Sequence, residues 1–211
     1  MIDTIQPYFE LIYFIAGGPV LAVIAFWALK QITVLKHNAK IASIREAYRI
    51  SAEQVNVYLT QIVPALNELD KQIKANGLTF LDNPDITVGA DSIAVNVPLR
   101  DDDIAKIINI ASPLLNVLNR LETFSLYFTS QVAAEEVAYT SIGGSFVFSL
   151  KRLLPALIPL AQDKHFESTL KLFHIWFHRL EAEKLKDQEA DIQQKLKTHK
   201  TIKISPIGTS D

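Results

Sequence analysis

L-I-Y-F-I-A-G-G-P-V-L-A-V-I-A-F-W-A-L, residues 11–29, carries no charged side chain and stops at Lys30. As a helix this stretch reaches roughly 28 Å, close to the roughly 30 Å hydrocarbon layer of a bilayer. Its apolar residues occupy every face, whereas a surface helix of a water-soluble domain keeps a polar stripe. Gly17, Gly18 and Pro19 weaken a helix in water but are tolerated in lipid, where they predict a kink near Pro19. A cleaved export signal needs a basic leader and small residues after the apolar run. Here the leader holds Asp3 and Glu10, and the run closes on Phe26-Trp27-Ala28-Leu29-Lys30. Tyr8, Tyr13 and Trp27 fall at the two ends, where amphipathic rings favour the headgroup level. The stretch therefore predicts one transmembrane helix.

Charge sets the expected orientation. Lys30, Lys36, Lys40, Arg45 and Arg49 follow the span against Glu46 alone, and no Lys or Arg precedes it. The positive-inside rule then predicts a single-pass protein of the bacterial inner membrane, N-terminus outside and C-terminal domain in the cytoplasm. The same five basic residues read either as contacts to anionic lipid heads or as a solvated helix face.

With residues 1–10 outside and 11–29 in the bilayer, one soluble domain is expected from the remainder. The chain of 211 residues is 49% hydrophobic and 21% charged with net charge −2, too apolar for disorder and too balanced for a general polyanion binder. Direct nucleic-acid binding is not expected. The absence of cysteine excludes disulfides, a thiol nucleophile and a thiolate metal site.

Residues 30–77 place Ile41, Ile44, Tyr48, Val55, Leu59, Ile62, Leu66, Leu69 and Ile73 at helical intervals. They predict an amphipathic helix bent by Pro64 and stopped by Asn76-Gly77. Its stripe needs a partner, either the rest of the chain in a bundle or the same helix of a second copy in a coiled coil; the lack of a sustained heptad favours the bundle. Residues 78–100 alternate at Ile86/Val88 and Ile93/Val95/Val97 around turn residues, predicting a small hairpin or loop. Asp101-Asp102-Asp103 suits the positive end of a new helix better than a calcium loop, because consecutive acids lack the oxygen spacing of such a loop.

Helices are predicted over 102–130, over 135–160 ending at Pro155 and Pro159, and over 165–197. Residues 101–197 thus read as a helical bundle and 198–211 as a flexible tail. A second crossing at 137–161 is the alternative, but Lys151 and Arg152 would each cost about 2.5–3.5 kcal/mol near a membrane centre. The fold class is all-α, with one transmembrane helix, an amphipathic continuation, a bundle and a small β-hairpin.

Catalytic chemistry is faint. His174 and His178, in H-I-W-F-H, are four residues apart and could share a metal, but the Glu of a zinc hydrolase motif and a third ligand are both missing. They read first as the polar edges of an aromatic packing face. Gly143-Gly144-Ser145 lacks the Gly-Lys-Ser/Thr of a phosphate loop and reads as a place of close helix approach. No cofactor is expected, and the chain reads as a non-enzyme.

L-N-R-L-E-T-F at 118–124, then Glu135-Glu136-Val137, Gly143-Gly144 and F-H-I-W-F, form an ordered set. The set resembles a family of bacterial and prophage proteins, a domain of unknown function with an N-terminal membrane helix before a helical domain. The resemblance implies a polar cluster of Asn119, Arg120 and Glu122, with Glu135 or Glu136 as partners of Arg120. The plan is also similar to the membrane effectors that accompany retrons in antiphage defence by abortive infection. That likeness implies a toxin-like protein held inactive by a protein partner on the cytoplasmic side, which perturbs the inner membrane on release. Ala16, Gly17, Gly18 and Ala22, beside Pro19, would then permit close packing in a homo-oligomer. A non-toxic tether recruiting a cytosolic partner to the bilayer is the alternative.

Overall fold

A computed structural model describes residues 6–82, 84–90, 92–97, 100–161 and 165–198. The chain is all-α apart from one two-stranded antiparallel hairpin. It divides into two compact units, Met1–Arg49 and Ile50–Asp211. The first is helical throughout its described length. It lies within α1, Gln6–Val57, which continues past Pro19 without interruption. From Tyr8 to Leu35 the large apolar side chains of this unit are exposed, Phe14 by 76% and Leu21 by 67%.

In the second unit α1 gives way to a wide π-turn at Tyr58–Ile62, followed by α2, Val63–Ala75. Pro64 explains the turn. It has no N–H to give to the carbonyl one turn back, and the chain widens so that the Val63 amide reaches the Tyr58 oxygen. Gly77, at φ +64°, ends α2: its amide bonds to the Lys74 oxygen and the Leu78 amide to the Ile73 oxygen. A 3-10 turn at Thr79–Leu81 leads to β1, Asp85–Val88, and β2, Ile93–Asn96. Ile86 faces Val95 and Val88 faces Ile93 across the ladder. These four pack on the core while Asp85, Thr87, Ala94 and Asn96 face outward. The alternation of the sequence is thus the alternation of the pleat.

The single helix predicted over 102–130 is two, α3 at Asp101–Asn109 and α4 at Ala111–Thr129. Pro113 is the cause: it cannot donate to the Asn109 carbonyl and its ring crowds that oxygen, so the path breaks at Ile110. Ile110 drops into the core, 1% exposed. Among the acids expected to cap, Asp103 does so, its carboxylate accepting from the Arg100 amide at 3.3 Å and the Arg100 Nε at 3.1 Å. Asp102 is exposed, and the Asp101 side chain lies outside the described residues. α5, Glu135–Leu160, has the expected bounds: it continues through Pro155 and ends one residue after Pro159. α6 runs from Glu167 to Thr198. The expected terminal segments 1–5 and 199–211 lie outside the described residues.

α5 is the central helix of the bundle. Ile142, Phe146, Leu150, Leu153, Leu154 and Leu157 are all buried. Around them Tyr58, Phe124, Phe128 and Trp176 form one aromatic cluster, with centroids 4.8 Å apart for Phe146–Trp176 and 4.9 Å for Phe124–Phe128. Arg152, the charge that argued against a membrane crossing, pairs with Asp70 at 2.7 Å and Asp82 at 2.9 Å. Lys74, then Arg152, hold the Asp70 carboxyl below its usual range.

Candidate functional site

The first unit combines an apolar helix with a basic section. Lys36, Lys40 and Arg45 are exposed, and Arg49 binds Glu46 at 2.6 Å. Stepping about 100° per residue puts Lys36 and Lys40 on one flank of the helix and Arg45 and Arg49 on another. Such a collar suits a helix that passes through a headgroup layer, whereas one lying along the surface concentrates its bases in a stripe. The Lys30 ammonium sits 6.0 Å from the centre of the Trp27 ring. Ile32, Val34 and Leu35, all exposed, extend the apolar surface beyond Leu29. At Gly17 and Gly18 an added methyl would meet nothing within 4 Å. Pro19 lies inside the helix and Ala22 is exposed; the Ala16 side chain lies outside the described residues.

The residues expected to form one polar cluster are distributed over three places. Glu122 of α4 caps α6. Its carboxylate accepts from the Ser168 amide at 3.1 Å and from the Thr169 amide and hydroxyl, each at 2.8 Å. It satisfies donors that no residue of its own helix can reach and faces the positive end of the dipole. Phe166, just before α6, has a positive φ of 64° and no capping side chain. A phenylalanine side chain cannot accept a hydrogen bond, so an acceptor for these donors arrives from another helix.

Glu135, in the first turn of α5, accepts from the Trp176 indole and pairs with Arg179 at 3.4 Å. Arg179 also lies 4.0 Å over the Tyr139 ring, whose hydroxyl donates to Glu183 at 2.7 Å. Burial, then the Glu183 carboxylate, push the Tyr139 phenol up to about 12. Gly143 makes room for that ring: a Cβ there would sit 2.7 Å from Tyr139 Cδ2. The glycine expected to permit close helix approach thus accommodates a side chain of its own helix, and Gly144 faces open space. Glu136 is exposed.

Arg120 joins neither acid expected as its partner. Its Nε donates to Asn116 Oδ1 at 2.8 Å and its Nη1 to Gln61 Oε1 at 3.2 Å. These groups line a groove of about 470 Å³ between the π-turn region and α4. Gln54, Asn119 and Thr123 complete the polar wall, and Val57, Ile62 and Phe124 supply the apolar one. Sequence reasoning found Asn119 and Arg120 but not Gln54, Gln61, Asn116 or Thr123, because no local pattern brings residues 54–61 to α4.

His174 and His178 are adjacent, ring centres 4.5 Å apart. Each Nε2 meets a hairpin carbonyl, Ala90 at 2.6 Å and Gly89 at 3.0 Å. A carbonyl accepts only, so both rings donate there and their Nε2 lone pairs are not available to a metal. Among the described residues no three His, Cys, Asp or Glu side chains converge as a metal set. The pair clasps the hairpin to α6. No protein-family model, curated protein or solved structure matches the chain.

Proposed function

We propose that the chain is a membrane-anchored recognition module, in which residues 11–29 cross the bacterial inner membrane once and the bundle recruits a cytosolic protein partner. The supporting observation is the exposure of the first unit: none of its most apolar window is buried. In water that surface would aggregate, and in hydrocarbon it is satisfied. The basic collar supports the orientation with the C-terminal side in the cytoplasm. No catalytic role is assigned to the bundle.

The test is fractionation of the full chain expressed in bacteria. The wild type stays in membranes after a high-salt wash and needs detergent for release. Val20→Arg with Ile24→Arg moves it to the soluble fraction, since each charge costs about 2.5–3.5 kcal/mol near a helix centre. A wild-type chain that remains in the supernatant after ultracentrifugation without detergent ends this proposal.

The open space at Gly17 and Gly18 favours a second reading, a retron-like abortive-infection effector. Released copies would pack through Gly17, Gly18 and Ala22 and perturb the membrane. Expression alone should then collapse the membrane potential, co-expression of the partner should restore it, and Gly17→Leu with Gly18→Leu should silence it. Unchanged potential and growth in every combination leave the tether.

A further inference from the structure

The four arginines of the second unit have unequal partners. Arg100 pairs with Asp103, Arg152 with Asp70 and Asp82, and Arg179 with Glu135 and Glu183. Arg120 alone has only neutral partners among the described residues, and no acid lines its groove. A guanidinium is always charged at physiological pH and carries no acceptor. The amide oxygens of Asn116 and Gln61 must therefore face it, which turns both NH2 groups away from it. The two bonds fix the guanidinium plane and leave the Nη2 group uncommitted. Donors thus outnumber acceptors around one fixed cation. Beside them Val57 and the edge of Phe124 offer an apolar wall, and the volume lies in the range of small-molecule sites.

We propose that this groove binds a small organic anion, its oxyanion group on Arg120 Nη2, its body against Val57 and Phe124. One cation with no second base suits one oxyanion head and not a polyanion. Gln54 and Asn119, each with a donor and an acceptor, can read polar atoms on the body. A carboxylate and a phosphate monoester share this chemistry. The inference stands on the bundle alone and does not depend on the membrane anchor.

The experiment is ligand titration of the full chain in detergent micelles, followed by NMR of the Arg120 Nε–H and by thermal shift. The probes are benzoate, its neutral counterpart benzamide, inorganic phosphate, adenosine monophosphate and adenosine. Benzoate or the monophosphate should bind saturably, at least about tenfold tighter than its neutral counterpart, as a charged hydrogen bond requires. Preference for benzoate identifies a carboxylate, and preference for the monophosphate a phosphate ester. Arg120→Gln should abolish the difference while far-ultraviolet circular dichroism and unfolding stay as in wild type, because Arg120 is exposed. Asn119→Ala should weaken binding of the preferred anion without restoring the neutral one. The inference is overturned if neutral and anionic probes bind alike, if inorganic phosphate binds as well as any organic anion, if Arg120→Gln leaves binding unchanged, or if no probe perturbs Arg120 at millimolar concentration.

Discussion

Among the described residues two helices are long and apolar enough to cross a membrane, and they have opposite surroundings. In the helix beginning at Gln6 none of the apolar window is buried, whereas 56% of the window in α5 is buried. The difference lies in where polarity is placed. Residues 11–29 have no polar face to turn outward. α5 keeps Ser141, Gly144, Phe148 and Lys151 exposed on one side, with Arg152 neutralised from α2 and the following loop. Both helices are apolar enough on average to cross a membrane, and which faces carry charge tells them apart.

The largest expected effect tests that contrast with one substitution in each helix. Phe146, fully buried and set edge-to-face against Trp176, loses packing when changed to alanine; Phe146→Ala should lower the unfolding free energy by about 3–5 kcal/mol. Phe26 is 65% exposed, and Phe26→Ala should change it by less than about 0.5 kcal/mol. Denaturant unfolding of the detergent-solubilised chain, followed by circular dichroism, measures both. Equal losses would mean that the first helix packs into the same cooperative fold, and the contrast would fail.

Glu122 comes next. Glu122→Ala removes three hydrogen bonds from the start of α6, and a loss of about 2 kcal/mol is expected. Glu122→Gln keeps an acceptor and should lose less. Hydrogen exchange should quicken at Ser168 and Thr169 in both variants, with no change in membrane fractionation. A variant that unfolds normally would show that α6 is held by packing alone.

Alkaline pH gives a further handle on the bundle. Tyr139 ionises near 12 in the folded chain against about 10 when unfolded, so the unfolded state gives up its proton first. The stability tied to this difference is whole below about pH 10 and disappears as pH rises toward 12. Tyr139→Phe should flatten that part of the stability profile. An unchanged profile would mean that other groups set the alkaline limit.

Periodicity made much of this fold legible. The spacing of Leu66, Leu69 and Ile73 shows α2, and alternation at Ile86/Val88 and Ile93/Val95 shows the hairpin. The breaks were harder to read because a proline acts one turn upstream of itself. Pro113 ends a helix at Asn109, and Pro64 widens the turn that starts at Tyr58. Side-chain partners were least legible. The family resemblance implied an acid beside Arg120, yet it meets Gln61, 59 residues away, because only packing decides which helix lies beside α4. The same holds for Glu122, whose work is done on a helix 46 residues later.

The smallest expected effect concerns the turn that feeds α5. Two helices end in the same way, α2 at Gly77 with φ +64° and α4 at Gln131 with φ +62°. At Gln131 its amide bonds to the Phe128 oxygen and the Val132 amide to the Tyr127 oxygen, the pattern found after α2. Only glycine takes this conformation without Cβ strain, so Gln131→Gly should stabilise the bundle by about 0.5–1 kcal/mol despite its larger unfolded-state entropy. Gly77→Ala should cost about 1 kcal/mol, and since its methyl would meet nothing within 4 Å, that loss measures the backbone alone. If Gln131→Gly destabilises instead, the glutamine side chain stabilises the turn by more than its strained φ costs. Under the proposed anchoring neither change should alter membrane fractionation, because both lie outside residues 11–29.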